Sequence, residues 1–158
     1  MKQEIVFRLN GKPAVYSGSP ASRLLDVLRE SFRHTGVKCG CLEGECGACS
    51  VILDGKLTNS CMVAMGRAAG SEVVTIEGFR NTKRFEALDK AFASVSAVQC
   101  GFCTPGMVLA AECLLRGKPN PTEEEIRVGI SGNLCRCTGY NAIVKAIGIA
   151  AKEGEGLW

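Results

Sequence analysis

The chain has 158 residues, 46% of them hydrophobic, and a formal net charge of +3. That length suits one compact domain or two small ones, and the charge is too mild, with no Lys/Arg-rich run, to imply nucleic acid. No apolar run is long enough to span a bilayer, and the start passes directly into alternating strand without a signal-peptide core, so a cytoplasmic protein is expected. Ten cysteines are many for this length. Without an export signal they point to metal rather than to disulfides. His34 is the single histidine, which excludes zinc fingers with two histidine ligands and Rieske centres.

Residues 4–9 alternate and predict a strand, Asn10-Gly11 a hairpin turn, and Pro13 to Ser17 the return strand. Ser19 and Pro20 predict the cap and first residue of a helix. Leu24, Leu25, Leu28 and Phe32 fall on its one apolar face, and His34 near its end reads as a surface residue. A loop with four glycines, Gly36 to Cys49, follows. Ser50 to Leu53, Asp54-Gly55 and Lys56-Leu57 predict a second hairpin, and Glu72 to Glu77 alternates as a further strand.

The pattern changes near Gly78, where Arg80 to Lys83 reads as a linker. Leu88, Phe92 and Val95 predict a helix from Phe85. Thr104 and Pro105 start another, carrying Met107, Val108, Ala111, Leu114 and Leu115 inside and stopping at Gly117. Thr122 with Glu125 is a capping box for a helix with Ile126 and Ile130, and a last helix spans about Tyr140 to Ala151. The expected class is α+β: a strand-rich half over residues 1–78 and a half of about four helices, a bundle, over 79–158.

The cysteines fall into two sets. Cys41 and Cys46 are separated by four residues, Cys46 and Cys49 by two, and Cys61 follows after eleven more. This is the plant-type spacing for a [2Fe–2S] cluster, with Gly40, Gly44 and Gly47 allowing the backbone to approach it. Using Cys39 in place of Cys41 breaks the spacing, so Cys39 reads as a spare thiol. Structural zinc also takes four cysteines, but it favours two short knuckles and only Cys46/Cys49 forms one. In the second set Cys100 and Cys103 are two residues apart, and after a gap of 31 come Cys135 and Cys137 with one residue between. By itself this set is a four-cysteine metal site on two helix ends, open to zinc or iron–sulfur. Cys113 pairs with neither set and reads as a small core residue, Arg136 as exposed, and Glu43 and Glu45 as solvated. No acid–base pair, activated nucleophile or phosphate loop is evident, so substrate chemistry is expected on another chain.

Four stretches together resemble the iron–sulfur subunit of the molybdenum hydroxylases, the family of xanthine dehydrogenase, aldehyde oxidoreductase and carbon monoxide dehydrogenase. They are Gly36-Val37-Lys38, Gly44 to Cys49, Val98 to Gly106, and Gly132-Asn133-Leu134-Cys135-Arg136-Cys137-Thr138-Gly139-Tyr140. The resemblance covers nearly the whole chain and fits a stand-alone small subunit. It implies a β-grasp, plant-ferredoxin-like domain followed by a four-helix-bundle domain. It implies one [2Fe–2S] cluster on Cys41, Cys46, Cys49 and Cys61, nearer a flavin, and another on Cys100, Cys103, Cys135 and Cys137, nearer molybdenum. It further implies that Gln99 and Cys137 approach a pyranopterin. The partners would be a large molybdopterin-binding subunit and an FAD-binding subunit, and the complex a purine or N-heterocycle dehydrogenase. A two-cluster ferredoxin acting alone, and a zinc-stapled interaction module, are the competing readings.

Overall fold

The computed structural model describes residues 3–158. Strands β1 (Gln3–Leu9) and β2 (Lys12–Gly18) form an antiparallel hairpin. Asn10 and Gly11 both take positive φ, 53° and 77°, the pattern of a two-residue turn whose twist matches the strands. Asp54 and Gly55, at 48° and 81°, do the same between β3 (Ser50–Leu53) and β4 (Lys56–Asn59). Strand β5 (Glu72–Val74) closes the gap, parallel to β1 and antiparallel to β3, giving the order β2-β1-β5-β3-β4. Along β1, Ile5, Phe7 and Leu9 point inward while Glu4, Val6 and Arg8 stay outside.

Helix α1 (Leu24–Asp26) runs into a wider π-turn over Val27–Ser31. It lays Leu24, Leu25 and Leu28 on the sheet against Phe7, Val51, Val73 and Met65, and Phe32 meets Phe7 edge to face at 5.5 Å. The helix starts later than Ser19-Pro20 predicts. The intervening backbone is taken by a tertiary pairing: Pro20, Ser22 and Val63 carbonyls accept the N–H groups of Gly66, Met65 and Leu24 at 2.7–2.8 Å. Ser19 Oγ accepts the Ala21 N–H in a local turn instead of capping. The last predicted strand also ends early, at Val74 rather than Glu77. The Asn10 side chain accepts the Thr75 N–H at 2.8 Å, and the chain then turns into α2 (Ile76–Phe79). His34 is not the surface residue its position suggests. Its Nδ1 lies 2.9 Å from Thr75 Oγ1 and 3.3 Å from Asn10 Nδ2, in a network that ties the first hairpin to the chain leaving β5.

Helices α3 (Lys83–Ser94), α4 (Thr104–Gly117), α5 (Glu123–Gly129) and α6 (Asn141–Glu153) share a second core of Leu88, Phe92, Met107, Leu109, Leu115, Ile130, Ile143 and Ile147. Strand β3 is buried on both faces. Val51 and Leu53 enter the core under α1, whereas Ile52 enters the helical core. The sheet is therefore a wall common to both cores, and the molecule is a mixed α/β fold. Thr82 caps α3 through the Phe85 N–H at 3.1 Å, and Thr122 with Glu125 forms the predicted capping box on α5.

Inside the helical core lies one carboxylate, Glu112 on α4, 1% exposed. It is answered by the Arg84 guanidinium at 3.3 Å and by the Trp158 indole N–H at 2.8 Å. A buried carboxylate short of a donor is costly. Trp158→Phe removes the donor, together with the benzo ring atoms that lie against Gly154. It is expected to lower stability by about 1–3 kcal/mol in urea denaturation; an unchanged midpoint would show that Arg84 alone satisfies Glu112. On α5, the Lys118 ammonium first, and then the Thr122 N–H, hold the Glu125 carboxyl down at about 2. A lowered carboxyl stabilises the fold above its ordinary range near 4.5 and loses that contribution as pH falls through about 2. Glu125→Gln should therefore narrow its stability gap from the parent chain in an acid titration, and a gap constant with pH would contradict this.

Candidate metal centres

The first cysteine set is carried by the loop between α1 and β3 and by the turn after β4. Two hydrogen bonds close the loop: the Lys38 N–H donates to the Ala48 carbonyl at 3.1 Å, and the Ser60 hydroxyl donates to the Cys49 carbonyl at 2.7 Å. Cys41 and Cys46 lie side by side. The Cys41 N–H reaches Cys46 Sγ, and the N–H groups of Glu43 and Cys46 reach Cys41 Sγ, each at 3.4 Å. Cys49 and Cys61 are buried, and their thiols face each other. Gly40 does not take the positive φ its type allows. A Cβ there would stand 2.7 Å from Cys46 Sγ, so the residue is small to let the backbone pass the sulfur. Leu42 takes the left-handed turn instead, at φ 63°.

The second set sits at two helix starts, as its spacing suggests. Cys103 is the residue before α4, and Cys135 and Cys137 occupy the turn leading into α6. Cys137 Sγ lies 3.6 Å from Cys100 Sγ, and Cys103 faces Cys135. The first of these pairs is exposed and the second half-buried. Gln99, Arg136, Val98, Phe102 and Leu134 are exposed around Cys100 and Cys137. The Gln99 side chain enters no hydrogen bond among the described residues.

The two sets touch. The Leu134 N–H donates to the Cys46 carbonyl at 2.9 Å. Asn133, 3% exposed, donates through Nδ2 to the Gly47 carbonyl at 3.0 Å and to Ser50 Oγ at 3.2 Å. The backbones are so close that a Cβ on Gly106 would lie 2.4 Å from the Gly47 carbonyl oxygen.

Charge decides what the thiols can do. Backbone N–H groups of Glu43, Cys46 and Glu45 bring Cys41 down to about 7. Burial, with the Cys49 thiol beside it, pushes Cys61 up to about 11, and burial with Cys135 as neighbour pushes Cys103 up to about 12. Burial opposes ionisation of Cys135 too, but the Thr138 hydroxyl and nearby amides outweigh it and bring the thiol down to about 7. Cys100 raises Cys137. Burial opposes ionisation of Cys61 and Cys103, and Cys135 raises Cys103 while being lowered by it, so four thiolates in one set require bound positive charge.

The donor set fits a two-iron cluster. One zinc ion holds its four sulfurs at about 2.3 Å and draws all of them together. Here the close contacts are pairwise: Cys41 with Cys46, Cys49 with Cys61, Cys100 with Cys137, and Cys103 with Cys135. No group of three or more His, Cys, Asp or Glu among the described residues is arranged around a single metal ion. Two pairs per set suit two irons, each taking two cysteines. Cys39 is exposed, and burial raises the half-buried Cys113. Asn133, Thr138 and Tyr140 lie within the recognised motif, but no role can be read for them from spacing. Their only mark in the sequence is that they flank the cysteine pair.

Two family models match in succession: a 2Fe-2S iron-sulfur cluster binding domain over residues 7–72 and a [2Fe-2S] binding domain over residues 75–148. The chain is 48% identical over 152 residues to the nicotinate dehydrogenase small FeS subunit of Eubacterium barkeri, covering 96% of this chain and 97% of that one. It superposes on quinoline 2-oxidoreductase from Pseudomonas putida 86 with a TM-score of 0.89 at 41% identity, covering 98% of each chain. It also superposes on the aldehyde oxidoreductase of Desulfovibrio desulfuricans ATCC 27774, with a TM-score of 0.91 at 39% identity, covering 98% of this chain and 17% of that longer one. With two [2Fe–2S]-binding domains in this order and a small FeS subunit matched at 48% identity over 97% of its length, the chain belongs to the family of iron–sulfur subunits of the molybdenum hydroxylases.

Proposed function

We propose that this chain carries electrons from a molybdopterin centre on a large partner subunit to FAD on another subunit, or to a different acceptor. One cluster is held by Cys41, Cys46, Cys49 and Cys61, and the other by Cys100, Cys103, Cys135 and Cys137. Bound there, each cluster supplies reversible one-electron storage. The observation that carries this reading is the contact between the two sets: Cys135 follows Leu134, whose N–H is bonded to the Cys46 carbonyl at 2.9 Å. One hydrogen bond and two short backbone segments therefore connect the two ligand sets, with buried Asn133 holding them in register.

The chain's other residues do the remaining work. The N–H groups of Cys41, Glu43 and Cys46 point at sulfur and favour added negative charge. Exposed Cys100 and Cys137 have three exposed large apolar side chains, Val98, Phe102 and Leu134, within three residues along the chain. Such apolar exposure suits a lasting subunit interface better than brief encounters of a free ferredoxin. Gln99, with two amide donors and an acceptor, is read as meeting the pyranopterin together with Cys137. The names of the nicotinate- and quinoline-oxidising relatives favour a complex acting on an N-heterocycle, purines included. We read residues 1–78 as a β-grasp domain and 79–158 as a four-helix bundle, on the two cores and on helices α3–α6. No helix among the described residues is long and apolar enough to cross a membrane, and we place the complex in the cytoplasm.

The complex as purified is expected to contain about four iron atoms and four acid-labile sulfides per copy of this chain, two of each per cluster. A colourless protein with zinc and no labile sulfide would instead support the zinc-stapled module, and recovery of the chain without larger subunits would support the lone ferredoxin. Cys103→Ala is expected to remove one of two [2Fe–2S] signals in electron paramagnetic resonance. Survival of both signals would overturn the ligand assignment.

A further inference from the structure

We propose that Thr138 is a positioning residue that raises the reduction potential of the cluster held by the second cysteine set. This rests on the reading of Cys135 as a ligand of that cluster. Thr138 Oγ1 stands 3.1 Å from Cys135 Sγ, a contact in which the hydroxyl donates and the sulfur accepts. The orientation of that hydroxyl is fixed. The Tyr140 N–H donates to the same Oγ1 at 3.2 Å, occupying a lone pair and leaving the single O–H proton to the sulfur. A relay results, from the Tyr140 amide to the Thr138 hydroxyl to the Cys135 sulfur.

The local backbone is bent to build it. Gly139 and Tyr140 take consecutive left-handed conformations at φ 63° and 69°. For tyrosine, which has a Cβ, this is a strained conformation. The turn brings the Tyr140 N–H back onto Thr138 and swings the phenol round to accept the Cys135 N–H at 2.8 Å. With its own amide engaged by the phenol, Cys135 has the threonine hydroxyl as its oriented side-chain donor. Among the described residues, no other sulfur of either set receives a hydroxyl. The donors to Cys41 and Cys46 are backbone N–H groups. The device therefore acts on one cluster of the two.

Its effect follows from charge. One-electron reduction of a cluster adds one negative charge, shared in part by the thiolate sulfurs; no bond breaks, and the proton stays on Oγ1. A hydroxyl already aimed at one of those sulfurs stabilises the reduced form more than the oxidised one and so raises the potential. Leaving Cys135 in a half-buried position increases the weight of that one donor.

The test is a redox titration of the complex as purified, followed by electron paramagnetic resonance. Thr138→Val removes the hydroxyl and keeps the branched shape. It is expected to shift the oxidised-to-reduced ratio of one cluster about tenfold toward oxidised, a fall of about 59 mV for one electron, and to leave the other cluster's midpoint in place. Thr138→Ser should restore the parent midpoint. Both signals present with neither midpoint moved would overturn the role of Thr138 while leaving the ligand reading intact. If Thr138→Val loses the second signal, the comparison passes to Thr138→Ser against Thr138→Ala; equal midpoints in those two would overturn the proposal, and a lower one in the alanine variant would support it. If the signal whose midpoint moves is the one that survives Cys103→Ala, the hydroxyl acts on the other cluster and the proposal fails.

Discussion

Everything distinctive in this molecule depends on the approach of one backbone loop to another at Gly47. Its carbonyl accepts Asn133 Nδ2 at 3.0 Å and also the Ser50 hydroxyl at 2.7 Å, and Gly106 lets the start of α4 come within contact of it. A side chain at Gly106 would have to share space with that oxygen. The approach needs a strand behind it that is buried on both faces, and β3 provides one. Val51 and Leu53 anchor it to the core under α1, while Ile52 anchors it to the helices. Two cysteine sets that are far apart in sequence are thereby held at one junction.

Electrostatics then ties folding to cofactor. Burial pushes Cys61 and Cys103 up to about 11 and about 12, while amides and a hydroxyl bring Cys41 and Cys135 down to about 7. Each set thus mixes a thiol ready to ionise with one that is not, and only bound metal reconciles the four. Metal-ligand free energy is spent on deprotonating the buried members and returns as stability of the loops that carry them. The pair Cys100/Cys137 is exposed, whereas the pair Cys49/Cys61 is enclosed.

Local chemistry was the most legible part of the sequence. Asn10-Gly11 and Asp54-Gly55 each demand two residues at positive φ, which few other pairs accept, so both hairpins were readable from two letters. Thr122 and Glu125 likewise announced their capping box. The readings that failed depended on distant partners. Ser19-Pro20 carries a helix-start signal, yet the backbone there pairs with residues 63–66. The alternation through Glu77 reads as strand, yet Asn10 captures Thr75 and turns the chain. His34 reads as surface until Thr75 and Asn10 are placed beside it.

The sequence by itself determined the candidate donors: eight cysteines in two spacings, a lone histidine unable to make a histidine-paired site, and motifs that mark the family. These are legible because ligand identity is covalent and spacing along the chain limits what one loop can wrap around. Only the tertiary structure decided how the sulfurs pair, that Leu134 and Asn133 join the two sets, and that Thr138 and Tyr140 form a relay onto Cys135. Those arrangements come from contacts between segments up to 86 residues apart, or from left-handed turns imposed on non-glycine residues by their surroundings. Such conformations run against local preference and persist because packing around them leaves no better alternative.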